Sequence, residues 1–198
     1  MSAVRGFESQ DGWTRGGAYE PYVGRWSRAV ARSFVAWLQP PARAGWLDVG
    51  CGTGALTATI LEDAEPSSVR AIDPSPNFVD FARAHIVDDR ASFAVGTLEE
   101  LTGSGDRFDY VVSGLVVNFL PAPPSALREM KEHARPGACI AAYVWDYTEG
   151  MEMIRHFWDA AIELDENAAA LDEATRFPLC RREPLRDLWE EAGLDEGP

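Results

Sequence analysis

Residues 46–57 constrain the fold more than any other part of this sequence. An apolar run over 46–49 leads directly into three glycines at alternate positions, Gly50, Gly52 and Gly54, and helix-forming residues follow. Glycine permits backbone conformations and close approaches that other side chains forbid. The start of a helix adds unpaired N–H groups and a positive dipole end. The segment therefore predicts a strand, a loop and a helix that hold a nucleotide-like ligand at the carboxyl edge of a parallel sheet.

The charge balance argues against two classes of partner. The chain has a net charge of −14, with 32 acidic and 18 basic residues, and Lys131 is its single lysine. Binding to nucleic acid depends on lysine and arginine side chains that neutralise phosphates. We therefore expect no nucleic-acid partner, and an anionic membrane surface is disfavoured for the same reason. No apolar run approaches the roughly 20 residues of a membrane span, so we also expect no membrane partner.

The three cysteines, Cys51, Cys139 and Cys180, lie far apart and do not have the spacing of metal ligands. Together with the absence of a signal-peptide pattern, this predicts a reduced, cytoplasmic protein without a metal site. Cys51 lies inside the glycine loop, where we expect a compact space-filling residue and not a nucleophile.

Strand and helix patterns alternate along the chain up to residue 145. Apolar residues at helical spacing predict helices, and short apolar runs between turn residues predict strands. The expected order is helix 25–38, strand 44–49, helix 55–63, strand 69–73, helix 77–87, strand 91–95, strand 109–114, helix 124–134 and strand 138–145. This alternation predicts an α/β fold, a Rossmann-like, doubly wound and mostly parallel sheet with strand order 3-2-1-4-5.

The pattern changes after residue 148, where the chain becomes helical and acidic. Amphipathic helices are predicted over 149–165 and 183–192. Residues 149–198 hold 14 acidic residues and 5 arginines, which gives −9 of the total charge of −14. One interpretation is a solvated helical surface, and the other is a region that attracts a cationic substrate.

The run Leu-Asp-Val-Gly-Cys-Gly-Thr-Gly at residues 47–54 resembles the first motif of class I S-adenosylmethionine-dependent methyltransferases. Similarity is weaker over 69–82 and 108–120. The segment Tyr-Glu-Pro-Tyr-Val-Gly-Arg-Trp-Ser-Arg, at residues 19–28, is similar to the small-molecule branch related to quinone-biosynthesis enzymes. The resemblance implies S-adenosylmethionine as the cofactor and a small molecule as the methyl acceptor.

The domain organisation expected from this resemblance is simple. Residues 19–198 form a single methyltransferase domain, in which 149–198 lie on the substrate side. The polar, glycine-rich residues 1–18 predict a flexible N-terminal segment. The family normally adds two further strands, and this sequence does not contain them. The fifth strand is then expected at an exposed sheet edge, which favours a homodimer through that edge.

The resemblance assigns the glycine loop to the cofactor. Gly50, Cys51, Gly52 and Gly54 are expected beneath its methionine part. Asp48 is expected near the amino group of the ligand. Its alternative role is to fix the loop by accepting backbone N–H hydrogen bonds.

Asp73 ends the second strand, where a carboxylate of this family accepts hydrogen bonds from the ribose hydroxyls. Its alternative role is a helix cap before Pro74. An aromatic face can stabilise a sulfonium, and an arginine can pair with the methionine carboxylate. The resemblance therefore implies these two roles for Tyr22 and Arg25. It also implies cofactor contacts from Pro74, Thr97, Leu98, Ser113, Gly114 and Leu115.

The acceptor is expected beyond the fourth and fifth strands. Methyl transfer needs an acceptor held in line with the methyl group, and a general base only if the acceptor must lose a proton. Asp146 and His156 are the candidate bases. The candidate substrate contacts are Asn118, Phe119, Trp145, Tyr147 and Phe157.

Two other functions stay open at this point. Gly50, Gly52 and Ala55 also fit the dinucleotide fingerprint, which would indicate an NAD-dependent oxidoreductase. The third glycine at Gly54 and the acidic Asp48 favour the methyltransferase over it. The other alternative is a catalytically silent S-adenosylmethionine-binding module, which the missing final strands favour.

Overall fold

The computed structural model describes residues 25–101 and 105–194. Its strands are β1 (Gly45–Val49), β2 (Ser68–Asp73), β3 (Ala91–Val95), β4 (Phe108–Gly114) and β5 (Ala134–Tyr143). The helices are α1 (Arg25–Leu38), α2 (Ala55–Asp63), α3 (Pro76–His85), α4 (Leu98–Leu101), α5 (Pro123–Glu132), α6 (Glu152–Leu164), α7 (Glu173–Arg176) and α8 (Arg182–Glu191). Short 3-10 helices cover Val117–Phe119, Glu166–Ala170 and Pro178–Cys180.

The five strands form one sheet in the order β3-β2-β1-β4-β5. All four neighbouring pairs are parallel. The predicted fold class and strand order are therefore confirmed. The order reverses between β1 and β4, so the connections that leave the carboxyl ends of these two strands run in opposite directions along the sheet.

The central strands are buried on both faces, because helices cover the sheet from two sides. Trp46 packs with α1 and α2 on one face, and the next residue, Leu47, packs with α5 and α8 on the other. Val112 and Val111 alternate in the same way on β4. Successive side chains of a strand point to opposite faces, which explains why these strands read as continuous apolar runs.

Most element boundaries agree with the sequence to within two residues, with three differences. Helix α6 begins at Glu152, three residues later than predicted. Strand β5 begins at Ala134, four residues earlier than predicted, and its register against β4 shifts between Phe108 and Tyr110. The short helix α4 and the helical turns between 166 and 180 had no periodic pattern to indicate them. They are too short to show a helical period.

A separate small core joins the helical region after β5 to the end of the sheet. It contains Tyr147, Ala174 and Cys180, with Phe177 packed against them. Helix α6 contributes no buried residue to any core. Among the residues with described positions, no helix is long and apolar enough to cross a membrane.

The outer edge of β5 is partly covered by α8. The indole N–H of Trp189 donates to the carbonyl oxygen of Ile140 at 3.3 Å. A tryptophan side chain thus satisfies one backbone acceptor on an edge that the sequence predicts to be exposed.

Several expectations for the N-terminal region lie outside the described residues. These are the flexible segment 1–18, Tyr22 and the side chain of Arg25.

Replacing Leu47 by alanine tests the double burial of β1. Leu47 is fully buried, and truncating such a side chain removes apolar contacts and leaves a cavity. We expect Leu47→Ala to lower the free energy of unfolding by about 2–5 kcal/mol in urea titrations. The matched control is Val87→Ala, at a side chain that is 92% exposed, with an expected change within about 0.5 kcal/mol. Equal effects of the two variants would contradict the assignment.

Candidate functional site

A cleft opens at the carboxyl ends of the strands, where the strand order reverses. It has a volume of about 2130 Å³ and is lined by the segments that follow β1, β2, β3 and β4, together with one face of α1. This edge is the general ligand site of doubly wound sheets. The fold therefore places the glycine loop where the sequence predicts it.

The glycine loop turns through backbone conformations that favour glycine. The φ angle is +73° at Gly50, +53° at Gly52 and +90° at Gly54. The backbone N–H groups of Gly50 and Cys51 both donate to the carbonyl oxygen of Ile72, at 2.8 and 2.9 Å. These bonds hold the loop against the end of β2.

Asp73 ties the glycine loop to β2 through its side chain. Its Oδ2 accepts a hydrogen bond from the Gly52 N–H at 2.9 Å, and its Oδ1 accepts one from the Ser75 N–H at 2.8 Å. The residue is 7% exposed and lines the cleft. Burial raises the pKa of Asp73, although the two N–H groups act in the opposite direction. Ser75, and not Asp73, caps α3, because its side chain accepts from the Phe78 N–H at 3.5 Å.

Asp48 lies fully buried at the base of the cleft. Its Oδ2 accepts a hydrogen bond from the Thr57 hydroxyl at 2.6 Å, whereas Oδ1 has no partner among the described residues. Burial raises the pKa of Asp48 from 3.8 to about 7; the Thr57 hydroxyl lowers it and the charge of Asp73 raises it. A buried carboxylate oxygen without a partner is a position where a ligand or a water is expected to donate.

The end of β4 contributes a strained residue to the cleft. Leu115 has a φ of +62°, which costs a non-glycine residue on the order of 1 kcal/mol or more. Its N–H donates to the carbonyl oxygen of Tyr143 at 2.8 Å, and it lines the cleft between Gly114 and Val116. Strain of this kind is concentrated at functional positions.

Aromatic side chains line another part of the cleft. The ring of Phe177 meets Phe119 edge to face at 4.9 Å between centroids and lies 6.1 Å from Tyr147. The guanidinium carbon of Arg176 lies 5.0 Å from the centroid of Phe177. Rings in these arrangements offer apolar faces to a ligand.

A polar clamp fixes the aromatic lining that follows α7. Asp172 accepts two hydrogen bonds from Arg155, at 3.0 and 3.1 Å, and one from the Ala174 N–H at 2.9 Å. The indole of Trp158 donates to the carboxylate of Glu173. Arg155 and Trp158, two side chains of α6, thus hold the start of α7. The Arg155–Asp172 pair is largely buried.

The lining of the cleft is strongly acidic. Within the described ranges it carries six carboxylates and one guanidinium, and such an imbalance creates a negative potential that attracts cations. The residues are Asp48, Asp73, Glu99, Glu129, Glu152, Glu173 and Arg176.

Most of the predicted site residues meet in this cleft. The cofactor candidates come from four separate segments, and the substrate candidates from two more. The predicted residues that line it are Asp48, Gly50, Cys51, Gly52, Asp73, Pro74, Thr97, Leu98, Gly114, Leu115, Asn118, Phe119, Trp145 and Tyr147.

Three predicted contacts do not line the cleft. Gly54 lies at the N-cap of α2, between the lining residues Thr53 and Ala55, and does not itself line the cleft. Ser113 is fully buried and donates from its hydroxyl to the carbonyl oxygen of Val49 at 2.8 Å, which ties β4 to β1. Phe157 is 61% exposed on α6.

Neither candidate base lines the cleft. Oδ1 of Asp146 accepts from the Thr148 N–H, the Thr148 hydroxyl and the Glu149 N–H, at 2.8 to 2.9 Å. Burial alone would raise the pKa of Asp146, but these hydrogen bonds outweigh it and lower the pKa. The carboxylate therefore stabilises a turn. His156 is exposed on α6.

Cys51 and the other cysteines show no sign of reactivity or metal binding. Burial raises the pKa of the Cys51 thiol, and the charges of Asp48 and Asp73 raise it further. The thiol is therefore protonated at neutral pH, which favours the space-filling role. In the ranges 25–101 and 105–194, no group of three or more metal-binding side chains comes together.

Sequence reasoning missed several lining residues. Glu129 and Tyr143 come from elements that were predicted, but nothing local distinguishes them from core or surface positions. Arg176 and Phe177 lie in a segment without a periodic pattern and reach the cleft only through the clamp on α7. Tertiary packing alone places them there.

Comparison with known proteins supports the resemblance to methyltransferases. Residues 47–142 match the family described as a methyltransferase domain. The chain is 33% identical over 116 residues to the trans-aconitate 2-methyltransferase of Deinococcus radiodurans, covering 59% of this chain and 43% of that protein. It is 28% identical over 165 residues to a ubiquinone biosynthesis O-methyltransferase of Azorhizobium caulinodans, covering 73% and 64%. The chain thus spans less than two thirds of the length of both relatives.

The fold is also similar to solved structures. A putative methyltransferase of Bacillus halodurans has a TM-score of 0.62 at 17% identity, covering 83% of this chain and 68% of that one. A plantazolicin methyltransferase in complex with SAH has a TM-score of 0.59 at 17% identity, covering 76% and 58%. At this level of identity, the two similarities show a shared fold.

The raised pKa of Asp48 predicts a pH dependence of stability. An aspartate in the unfolded chain loses its proton near pH 4, whereas folded Asp48 keeps it up to about pH 7. The folded state binds more protons in this window, so the free energy of unfolding falls as the pH rises from 4 to 7. A shift of three units corresponds to on the order of 4 kcal/mol.

The side chain introduced by Asp48→Asn cannot ionise, so the unfolding free energy of this variant should not show the decline that Asp48 causes between pH 4 and 7. At pH 8 the variant should therefore be more stable than the unsubstituted protein. Urea titrations of both proteins between pH 4 and 8 measure the difference. Parallel curves for the two proteins would show that Asp48 is not the buried acid described above.

The close approach at Gly50 predicts a graded effect of alanine in the loop. A Cβ on Gly50 would lie 2.6 Å from Cγ1 of Val116, whereas one on Gly52 meets no atom within 4 Å. Both substitutions strain a positive φ, but only Gly50→Ala also overpacks. We expect Gly50→Ala to cost about 1–3 kcal/mol more in unfolding free energy than Gly52→Ala. Adding Val116→Ala should recover part of the loss, and no recovery would contradict the steric explanation.

Proposed function

We propose that this chain, whose residues 47–142 match a methyltransferase domain, is a class I S-adenosylmethionine-dependent methyltransferase that transfers a methyl group from this cofactor to a small-molecule acceptor. The single observation that carries the proposal is the cleft at the strand reversal, where the glycine loop lies beside two buried carboxylates, Asp48 and Asp73.

The residues of the cleft fit this cofactor. S-adenosylmethionine is a cation at its sulfur and its amino group, and the lining is strongly acidic. Asp48 Oδ1 is a buried acceptor that lacks a described partner, which suits a donor such as an ammonium group or a bridging water. Asp73 holds its carboxylate at the edge of the cleft, where each oxygen retains a lone pair beyond its backbone bond, and we assign it to the ribose hydroxyls.

The same contacts argue against a dinucleotide. A pyrophosphate in a glycine-rich loop binds to backbone N–H groups at the helix start. Here the Gly52 N–H is already bonded to the carboxylate of Asp73. A negative charge therefore stands where the phosphate would need a donor, which disfavours the NAD-dependent alternative.

In the proposed reaction, the residues of this chain bind the cofactor and orient the acceptor. When bound, S-adenosylmethionine supplies an electrophilic methyl group on a positively charged sulfur, and an electron pair of the acceptor displaces the thioether. We assign the glycine loop to the methionine part, and Thr97 and Leu98 to the adenine. Leu115 fixes the wall after β4 through its bond to Tyr143. Holding two reactants in one orientation is the main source of rate in such a transfer.

The aromatic lining supports an apolar or planar acceptor. Phe119, Tyr147 and Phe177 form the contact surface, and the helical region 149–194 supplies part of it. The Azorhizobium relative is an O-methyltransferase by name, which supports an oxygen acceptor. Neither Asp146 nor His156 lines the cleft, so the proposal assigns neither of them as a base.

The position of the two predicted bases also favours a second candidate, a catalytically silent module that binds S-adenosylmethionine. Binding of the cofactor product without turnover on any acceptor would select it. A cytoplasmic setting, the lack of a nucleic-acid partner and a homodimer through the edge of β5 belong to the proposal as well. The free cysteines and the net charge of −14 support the first two.

Calorimetry with S-adenosylhomocysteine tests the cofactor assignment, with NAD as the parallel titration. We expect micromolar binding of the first compound and none of NAD. Asp73→Asn removes a charged acceptor from the ribose and should weaken binding by about 10- to 100-fold. The matched control is Asp80→Asn, an exposed residue on α3, with unchanged affinity. Unchanged affinity in Asp73→Asn would contradict the ribose assignment, and NAD binding would select the oxidoreductase.

A further inference from the structure

The carboxyl group of Asp48 lies in the floor of the cleft without a counter-charge. It is fully buried, and its Oδ1 has no partner among the described residues. Its Oδ2 accepts a hydrogen bond from the neutral Thr57 hydroxyl at 2.6 Å. Within the described structure, no lysine or arginine forms an ion pair with Asp48. Because an unpaired buried carboxylate is costly, the free protein favours the neutral, protonated form of this side chain.

The groups that surround Asp48 act in the same direction. Burial is the largest influence and raises the pKa of Asp48 to about 7, Thr57 of α2 lowers it through its hydrogen bonds, and the charge of Asp73 at the end of β2 raises it again. Burial also raises the pKa of the Cys51 thiol in the glycine loop, which therefore stays neutral. On β4, the residue that pairs with Asp48 is the apolar Val112. None of these described neighbours brings a positive charge to the carboxyl group.

No histidine lines the cleft, although histidine is the side chain that usually titrates near neutral pH. The chain has three, His85, His133 and His156, and the described lining contains none of them. His85 and His156 are exposed on helices, and His133 is buried where α5 meets β5. A ligand in the cleft can therefore displace a proton near pH 7 from a buried carboxyl group, but not from a histidine of the lining.

We propose that the cofactor binds by exchange: its ammonium group takes the position beside Asp48 Oδ1, and Asp48 releases one proton. The O–H bond of the carboxyl group breaks, the electron pair stays on the carboxylate, and the proton passes to the solvent. The ammonium keeps its own protons, so one positive charge replaces another in the floor of the cleft. This inference rests on the proposed methyltransferase function and adds regulation to the same site, because acid then weakens cofactor binding.

Calorimetry in pairs of buffers counts the released proton. S-adenosylhomocysteine, which carries the same ammonium group, is titrated into the protein at pH 6 in MES and in Bis-Tris, two buffers with different enthalpies of ionisation. The difference in apparent binding enthalpy should correspond to about 0.9 protons released per ligand at pH 6. The same comparison in phosphate and Tris at pH 8 should give about 0.1. Release of less than about a third of a proton at pH 6 would overturn the proposal.

The affinity should follow the same exchange. At pH 6 the ligand has to displace the proton, whereas at pH 8 it meets a carboxylate that is already ionised. The dissociation constant of S-adenosylhomocysteine should therefore be about tenfold higher at pH 6 than at pH 8. Equal dissociation constants at the two pH values would contradict the exchange.

The variant Asp48→Asn identifies the group that loses the proton. An amide has no proton to release in this range, so S-adenosylhomocysteine should bind the variant without proton release and with equal affinity at pH 6 and pH 8. The matched control is Asp80→Asn, at an exposed residue on α3, which should keep both effects. Proton release that persists in Asp48→Asn would assign the proton to another group, such as Asp73, and would overturn the proposal.

A truncated ligand tests the ammonium group in the unsubstituted protein. 5′-Methylthioadenosine has the adenine, the ribose and the sulfur of S-adenosylhomocysteine but lacks its amino-acid part. It should bind without proton release and with the same affinity at pH 6 and pH 8. Proton release with this compound would contradict the exchange, because it carries no ammonium group.

The calorimetry also separates this inference from the function on which it rests. Binding of S-adenosylhomocysteine to the unsubstituted protein without proton release rejects only the exchange. A folded protein that does not bind this compound at pH 6 or at pH 8 rejects the proposed function.

Discussion

The hydrogen bond from the Gly52 N–H to the Asp73 carboxylate is the contact on which the site depends. It joins the loop after β1 to the end of β2, at 2.9 Å, and therefore sets the shape of the cleft floor. It also places a negative charge at the helix start, where a phosphate would otherwise bind. The same contact thus holds the loop in place and puts a carboxylate beside the loop N–H groups, which supports the proposed cationic ligand over an anionic one.

The two buried carboxylates, Asp48 and Asp73, differ in their hydrogen-bond partners. Asp73 has backbone donors on both oxygens, whereas Asp48 has the Thr57 hydroxyl on one oxygen and no described partner on the other. The cost of this arrangement appears as the raised pKa of Asp48, about 7. A neutral residue at this position would avoid that cost in the folded protein, which supports the proposal that Asp48 serves a ligand.

The aromatic lining of the cleft is held in place in a different way from the glycine loop. It is carried by a segment with little regular structure, and the buried Arg155–Asp172 pair keeps that segment against α6. Removing one partner of such a pair leaves an uncompensated charge, so the pair specifies one position of the lining. Arg155 and Trp158 of α6 make the contacts of the clamp, whereas Met153 and Phe157 of the same helix are exposed.

The sequence by itself determined the sheet and the position of the glycine loop at its carboxyl edge. Alternating strand and helix patterns predict strand order 3-2-1-4-5, and the spacing of Gly50, Gly52 and Gly54 after a strand predicts the loop, because local backbone chemistry dictates both. Only the tertiary structure decided that Arg176 and Phe177 join the cleft, that Asp146 stabilises a turn, and that Ser113 bonds to Val49. Those outcomes depend on contacts between residues distant in sequence, which no local period or motif records.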